Sequence, residues 1–267
     1  MSEIRTILRN HMKEKLAGNE VVASMTVRFA RSIEIAQIAK TAGFDTLYVD
    51  LEHNTLPIDT CCQICVSAQQ IGITPLVRVP ANTPDYIYRV LDGGAMGVIT
   101  PPHIRSAPEA RDMVKLVKFP PLGHRSAGGA LSHYQYRSFP MAETNAAMND
   151  ATSLVVMMET VAALENVEEI IATEGVDMLL IGSNDLCGEM GIVGQHDHPK
   201  LKDAFARSIA AANKVGKHVG VGGLASRDDL MTQFVQMGAR SVLTGTDLSF
   251  LIAANAQKAR FVRDIKI

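Results

Sequence analysis

The chain has 267 residues, of which 47% are hydrophobic and 20% are charged, and its formal net charge at pH 7 is −2. This near balance of charge provides neither the basic face expected of a nucleic-acid-binding protein nor an acidic tail. No apolar run is long enough to cross a bilayer, and the chain does not open on a secretory signal. We therefore expect a cytoplasmic protein with a large core that binds neither nucleic acid nor membrane.

Short apolar runs alternate with amphipathic segments along the chain. After a helical segment at 2–16, β-strands are predicted for the apolar runs at residues 21–27, 46–50, 74–79, 97–100, 154–158, 178–181, 218–221 and 241–244. Helical spacing follows these runs at residues 32–42, 59–70, 84–91, 107–117, 161–171, 200–215, 227–237 and 248–262. Residues 119–150 break the alternation, and their content of Pro, Gly, Ser and His predicts a long loop.

This order of elements predicts an α/β fold, namely a (β/α)8 TIM barrel with an extra N-terminal helix. An open, doubly wound parallel sheet is the alternative architecture. No linker divides the sequence, so we expect residues 1–267 to form a single barrel domain.

Two small clusters of potential metal ligands are predicted to be structural. Cys61, Cys62 and Cys65 share one helical segment, and no second CxxC accompanies them, so with Cys187 they are expected to be reduced, packed thiols. His196 and His198 stand among Gly, Asp and Pro, which is typical of a solvated loop.

Polar residues follow most of the predicted strands, where a parallel barrel has its catalytic mouth. They are Arg28, Asp50, Glu52, His53, Arg78, His103, Glu159, Ser183, Asp185 and Asp247. Glu159 and Asp185 end neighbouring strands, so two carboxylates converge there, and hard oxygen ligands of this kind suit a divalent cation.

Each of these residues also has a structural alternative. Glu159 and Asp185 could cap the helices that follow them. Arg78 could form a buried salt bridge with Asp50 or Glu52, and His53 could be a hydrogen-bonded structural histidine. The metal-site hypothesis rests on the occurrence of all these residues together. Residues with separate structural roles, such as helix caps, need not all lie at the same end of the barrel.

Lysine is absent from the predicted strand ends. An aldolase that works through a Schiff base needs a lysine amine in the barrel mouth. Carbonyl chemistry in this mouth would therefore rely on a metal as electrophile.

Several motifs together resemble the class II pyruvate aldolases of the HpcH/HpaI type. The motifs are METVAALENVEEIIATEGVDMLLIGSNDL from Met158, VDLEHN from Val49, PLVRVP from Pro75, FPPLGHRSAGGALS from Phe119 and GTDLSFL from Gly245. They occur in order and at compatible spacing, from about Val21 to the last predicted helix.

The resemblance implies a barrel enzyme that cleaves or forms 4-hydroxy-2-oxo acids from pyruvate and an aldehyde. It implies that Glu159 and Asp185 bind Mg2+, Mn2+ or Co2+ and that Arg78 contacts the pyruvate keto oxygen. It further implies that His53 acts with Asp50 as the acid/base unit. The backbone N–H groups of Asn184 and Asp185 would hold the pyruvate carboxylate, with Ser183 close by.

The resemblance also implies an assembly, namely a hexamer built from dimers that exchange their last helix. Oxaloacetate decarboxylation is an expected side reaction, since it passes through the same enolate. Leu51, Ser183, Asn184 and His103 depart from the usual pattern of the family. An acyl-CoA lyase of the citrate-lyase type and a non-catalytic oxo-acid-binding barrel are the alternative functions.

Overall fold

The computed structural model of the chain describes residues 2–101 and 104–266, and it contains a closed barrel of parallel strands in the order β1 to β8. The strands are β1 Val22–Val27, β2 Thr46–Asp50, β3 Thr74–Arg78, β4 Gly97–Ile99, β5 Ser153–Met158, β6 Met178–Gly182, β7 His218–Gly222 and β8 Ser241–Thr246. Pairing of β1 with β8 closes the sheet, so the barrel prediction is confirmed and the open sheet is excluded.

At least one helix follows every strand, and two helices precede the first strand. The helices are α1 Glu3–Ile7, α2 His11–Ala17, α3 Glu34–Ala42, α4 Ile58–Gln70, α5 Pro84–Asp92, α6 Ala107–Val117, α7 Met141–Ala151, α8 Val161–Glu165, α9 Val167–Ala172, α10 Ser183–Glu189, α11 Pro199–Lys214, α12 Asp228–Met237 and α13 Asp247–Arg263. Within the described residues, no helix combines the length and apolarity needed to span a membrane.

The helix prediction was wrong at three places. The N-terminal segment forms two helices, because the side chain of Asn10 accepts a hydrogen bond from the Lys13 N–H and starts α2. The predicted loop at 119–150 contains a 3-10 turn (Ser132–Tyr134) and α7, whose sequence lacks a clear apolar stripe. Asn166 divides the predicted helix 161–171 into α8 and α9.

Alternation along the strands determines which side chains face the barrel interior. Tyr48 on β2, Leu76 on β3 and Leu180 on β6 belong to one apolar cluster inside the barrel. Met12 and Leu16 of α2 pack into the same cluster and close the amino-terminal end of the barrel. The opposite end, where the strands finish, is left as the open mouth.

The last helix, α13, is largely uncovered in this chain. Asp247 is its one buried residue among those that the structure describes. Large apolar side chains are exposed along its length, at Leu248, Phe250, Leu251, Ile252, Phe261 and Val262. An apolar surface of this extent on one helix is typical of a contact with another chain.

Candidate active site

The centre of the mouth is an ion cluster around the carboxylate of Asp50. Strand register pairs Asp50 on β2 with Arg78 on β3, and both side chains point into the barrel. Arg78 donates from Nε to Asp50 Oδ1 at 3.0 Å and from Nη2 to Oδ2 at 2.6 Å. Its Nη1 lies 2.9 Å from Glu52 Oε2. The salt bridge therefore exists, and it holds the guanidinium plane in one orientation.

The Asp50 carboxylate is fully buried and ionised. Burial opposes its charge, but hydrogen bonding and charge from Arg78, together with the charge of Arg28, hold the pKa of Asp50 below its ordinary value. Oδ1 also accepts the backbone N–H groups of Glu52 at 3.0 Å and His53 at 3.2 Å.

The imidazole of His53 lies at the rim, away from the Asp50 carboxylate. Asp50 contacts His53 through the backbone N–H, whereas the imidazole Nε2 lies 3.9 Å from Glu52 Oε2. The side chains of Asp50 and His53 therefore make no direct contact in this structure, and their joint acid/base role stays a prediction. The physical reason for the absent contact is that Arg78, Arg28 and two backbone N–H groups already occupy both carboxylate oxygens.

Two further carboxylates lie across the mouth from this cluster. Glu159 follows β5 and is buried, and Asp185 lies in the first turn of α10 and is exposed. Burial, and then the negative charges of Asp185 and Glu52, raise the pKa of Glu159 to about 7. Thr160, and not Glu159, caps α8 by accepting the N–H of Ala163 at 3.1 Å. The capping alternative for Glu159 is therefore excluded.

This pair of carboxylates fits a divalent cation that keeps open coordination positions. No group of three or more His, Cys, Asp or Glu side chains able to hold a metal occurs within residues 2–101 and 104–266. Mg2+ in enzymes commonly takes one or two carboxylates and fills the remaining positions with water and substrate oxygens. A Cβ on Gly182 would lie 2.8 Å from Glu159 Oε2, so the absent side chain leaves room beside that carboxylate.

A cavity of about 210 Å³ opens between the ion cluster and the carboxylate pair. Arg28, His53, Arg78, Glu159 and Asp185 line its polar part. Glycines line the cavity at the ends of β6, β7 and β8, and their lack of side chains keeps that side of the barrel open. They are Gly182, Gly222, Gly223 and Gly245. The volume suits a small polar molecule.

The start of α10 forms the wall of this cavity nearest Asp185. Ser183 is buried, and its hydroxyl has no hydrogen-bonding partner in the described part of the chain. Asn184 is exposed, and its Oδ1 lies 3.0 Å from Nε2 of His196. Gly223, whose φ is +79°, packs against the N–H groups of Ser183 and Asn184, and a Cβ there would approach both nitrogens to 3.2 Å.

Two residues of the mouth were missed by the sequence reasoning. Tyr48 lines the cavity floor below Asp50, and its hydroxyl has no partner within the described residues. Alternation along β2 places Tyr48 and Asp50 on the same face, so this signal was present. His196 approaches Asn184 from the loop after α10, and no periodic signal marks such a contact.

The remaining predictions concern Leu51, the cysteines and two histidines. Leu51 packs in the layer between strands and helices, so it does not narrow the cavity. The cysteines lie in α4 and α10 without a disulfide. His198 accepts the Lys200 N–H at the start of α11. His103 lies outside the described residues.

Asp247 has a structural role that follows from its contacts. Its carboxylate accepts the backbone N–H groups of Arg28 at 3.0 Å, Phe29 at 3.0 Å and Ala30 at 2.7 Å, and so orders the turn after β1. We expect Asp247→Ala to lower the free energy of unfolding by about 3 kcal/mol, because several donors lose their acceptor. Thermal unfolding checks this, with Asp228→Ala on the exposed start of α12 as control. Equal stability of the two variants would contradict the assignment.

Sequence and fold comparisons give concordant matches. The sequence model of the family described as HpcH/HpaI aldolase/citrate lyase matches residues 28–254. A 4-hydroxy-4-methyl-2-oxoglutarate aldolase of Chaetomium globosum is 35% identical over 96% of this chain and 96% of its own length. A 4-hydroxy-2-oxo-heptane-1,7-dioate aldolase of Shigella sonnei is 32% identical over 85% of each chain. The crystal structure of an HpcH/HpaI aldolase from Desulfitobacterium hafniense has a TM-score of 0.89 at 30% identity, covering 95% of this chain and 97% of that one.

Proposed function

The chain belongs to the HpcH/HpaI aldolase/citrate lyase family, and we propose that it is an aldolase that cleaves and forms 4-hydroxy-2-oxo acids with pyruvate as one half. One observation carries this proposal: a carboxylate pair, Glu159 and Asp185, lines one small cavity with the Arg78 guanidinium. Both relatives named above are aldolases, which favours this reaction over acyl-CoA cleavage.

We propose Glu159 and Asp185 as the protein ligands of Mg2+, Mn2+ or Co2+. When bound, such a cation supplies Lewis acidity toward the carbonyl oxygen of the substrate. Asn184 and Asp185 line the same cavity, and we propose that their first-turn N–H groups hold the pyruvate carboxylate, with the unpartnered Ser183 hydroxyl next to them in the chain.

In the cleavage direction, the bond between C3 and C4 of the substrate breaks. His53 accepts the proton of the C4 hydroxyl, and that oxygen becomes the carbonyl of the released aldehyde or ketone. The electron pair of the broken bond remains with C3, which gives the enolate of pyruvate, and a proton delivered to C3 completes pyruvate. Arg78 places fixed positive charge beside the oxygen on which the enolate charge develops.

The surrounding contacts explain why Arg78 suits this task. Asp50 and Glu52 fix its orientation, so no reorganisation is needed when charge develops. A barrel that only binds an oxo acid needs no proton acceptor at its rim, and the exposed imidazole of His53 argues against that alternative.

Two further properties belong to this proposal. The exposed apolar face of α13 supports a homo-oligomer in which this helix is covered by another subunit, and a hexamer of exchanged dimers is the form we propose. The cysteines without disulfides support a cytoplasmic location, where thiols remain reduced.

Proton exchange tests the proposed chemistry directly. In D2O, Mg2+- or Mn2+-loaded protein is expected to exchange the methyl protons of pyruvate, followed by NMR, and to release pyruvate from 4-hydroxy-2-oxo acids. Chelator should abolish both reactions, and borohydride with pyruvate should leave the protein mass unchanged, since no strand-end lysine is available. Full retro-aldol activity in metal-free protein, or a borohydride adduct, would refute the proposal.

A further inference from the structure

The side chain of Arg28 is a cation in the mouth that the proposed mechanism does not use. Every second side chain along β1 points into the barrel. Thr26 is one of them, and Arg28, two residues further along the chain, also lines the cavity. Its Nε donates to Asp50 Oδ2 at 2.7 Å. Neither terminal nitrogen of Arg28 has a hydrogen-bonding partner within residues 2–101 and 104–266, and 38% of the side chain is exposed. Arg28 therefore has unused donors on a side chain that lines the cavity.

Support of the Asp50 carboxylate does not by itself explain why an arginine occupies position 28. Arg78 already binds the Asp50 carboxylate through two nitrogens, and two backbone N–H groups complete its hydrogen bonding. Arg78 in turn is neutralised by both Asp50 and Glu52. Arg28 has one carboxylate contact, which it shares, so its positive charge is the least compensated in the cluster.

We propose that Arg28 binds the carboxylate of the acceptor, and that the acceptor is a 2-oxo acid. This inference rests on the proposed function, because it assigns the half of the substrate that does not become pyruvate. A guanidinium with two unpaired terminal nitrogens at the edge of a cavity is well suited to a carboxylate.

The position of Arg28 restricts where this carboxylate lies in the substrate. Arg28 and Arg78 meet on the same oxygen of Asp50, at 2.7 Å and 2.6 Å. Since Arg78 is proposed beside the enolate oxygen, an anion bound by Arg28 lies close to the carbon that the enolate attacks. A carboxylate attached directly to that carbon fits this position. The substrate of cleavage then carries its second carboxylate on C4, the carbon that bears the hydroxyl.

Three substrates distinguish this assignment from a general effect of charge. 4-Hydroxy-4-methyl-2-oxoglutarate has the carboxylate on C4, and 4-hydroxy-4-methyl-2-oxopentanoate has a methyl group there. 4-Hydroxy-2-oxoheptanedioate has the carboxylate at the end of a longer chain. We expect the metal-loaded wild-type protein to have its highest kcat/KM on the first of these.

Arg28→Gln is expected to lower kcat/KM about 100-fold on the C4-carboxylate substrate, as expected for loss of charge-assisted hydrogen bonds. The change on 4-hydroxy-4-methyl-2-oxopentanoate should be less than about threefold by the same reasoning, since its C4 carries no carboxylate for the guanidinium to bind. Arg28→Lys should retain part of the preference. Arg31→Gln, an exposed arginine outside the cavity on the same turn, is the matched control and should behave as wild type.

The exchange of pyruvate methyl protons separates failure of this inference from failure of the proposed function. If the proposed function is wrong, wild-type protein neither exchanges these protons nor cleaves any of the three substrates. If only the role of Arg28 is wrong, exchange persists in Arg28→Gln while both C4 substrates are affected equally, or neither is. A wild-type preference for the long dicarboxylate would also overturn the 2-oxo acid assignment.

Discussion

Replacing Arg78 by leucine is expected to abolish aldol cleavage and to destabilise the barrel in the same step. The buried Asp50 carboxylate would lose two hydrogen bonds and its main counter-charge. Removing one partner of a buried ion pair costs about 3 kcal/mol or more, and the missing charge at the enolate oxygen should lower kcat/KM at least about 1,000-fold. Thermal unfolding and a coupled pyruvate assay measure the two effects.

Two companion variants separate the structural effect from the catalytic one. In Arg78→Leu/Asp50→Asn the uncompensated buried charge is gone, so stability should recover by about 2 kcal/mol relative to Arg78→Leu, while activity stays lost. Arg78→Lys retains charge but cannot form the paired contact with Asp50, and should remain about 100-fold less active than wild type. Substantial activity in the double variant would show that Arg78 acts only by supporting the fold.

Glu159→Gln is expected to have opposite effects on stability and on activity. In metal-free protein, burial and the charges of Asp185 and Glu52 raise the pKa of Glu159 from 4.5 to about 7. Below pH 4.5 this carboxyl is protonated in both the folded and the unfolded chain. Between pH 4.5 and 7 only the folded chain retains the proton, so its contribution to stability falls as pH rises. A shift of this size corresponds to on the order of 3 kcal/mol.

A glutamine at position 159 carries no charge, so it removes the loss of stability that comes from ionising the buried carboxyl of Glu159. We therefore expect metal-free Glu159→Gln to be more stable than metal-free wild type at pH 8 by about 2 kcal/mol, with little difference at pH 4. The increase in Tm that Mg2+ or Mn2+ produces in wild type should be absent, and cleavage should be abolished. Glu165→Gln, on α8 and outside the cavity, serves as control. A variant that still gains Tm from metal would contradict the role of Glu159 as a ligand.

The architecture was predictable because its signals are local. Every strand was placed to within about two residues, since buried parallel strands leave apolar runs between helical segments. α7 escaped prediction because only Ala147, Met148 and Ala151 are buried, and so few contacts leave a weak pattern in the sequence. Strand-end acids were identifiable for a similar reason, because the direction of parallel strands places Asp50 and Glu159 on one rim.

The contacts within the mouth were decided by tertiary structure. Whether Asp50 binds His53 or Arg78 depends on the register of β2 against β3, which pairs Asp50 with Arg78 directly. Arg28 reaches Asp50 from β1, and Asn184 meets His196 from a loop without periodicity. Asp247 orders the turn after β1 from more than 200 positions away in the chain.

The sequence by itself therefore determined the barrel, the rim at which its polar residues gather and the two carboxylates that we propose as cation ligands. The tertiary structure decided which charges touch, which carboxylate has a raised pKa and which arginine keeps terminal nitrogens without a partner among the described residues. The physical reason is that periodicity records which face of an element is buried. Charge pairing and desolvation depend instead on distances between elements that are remote in sequence.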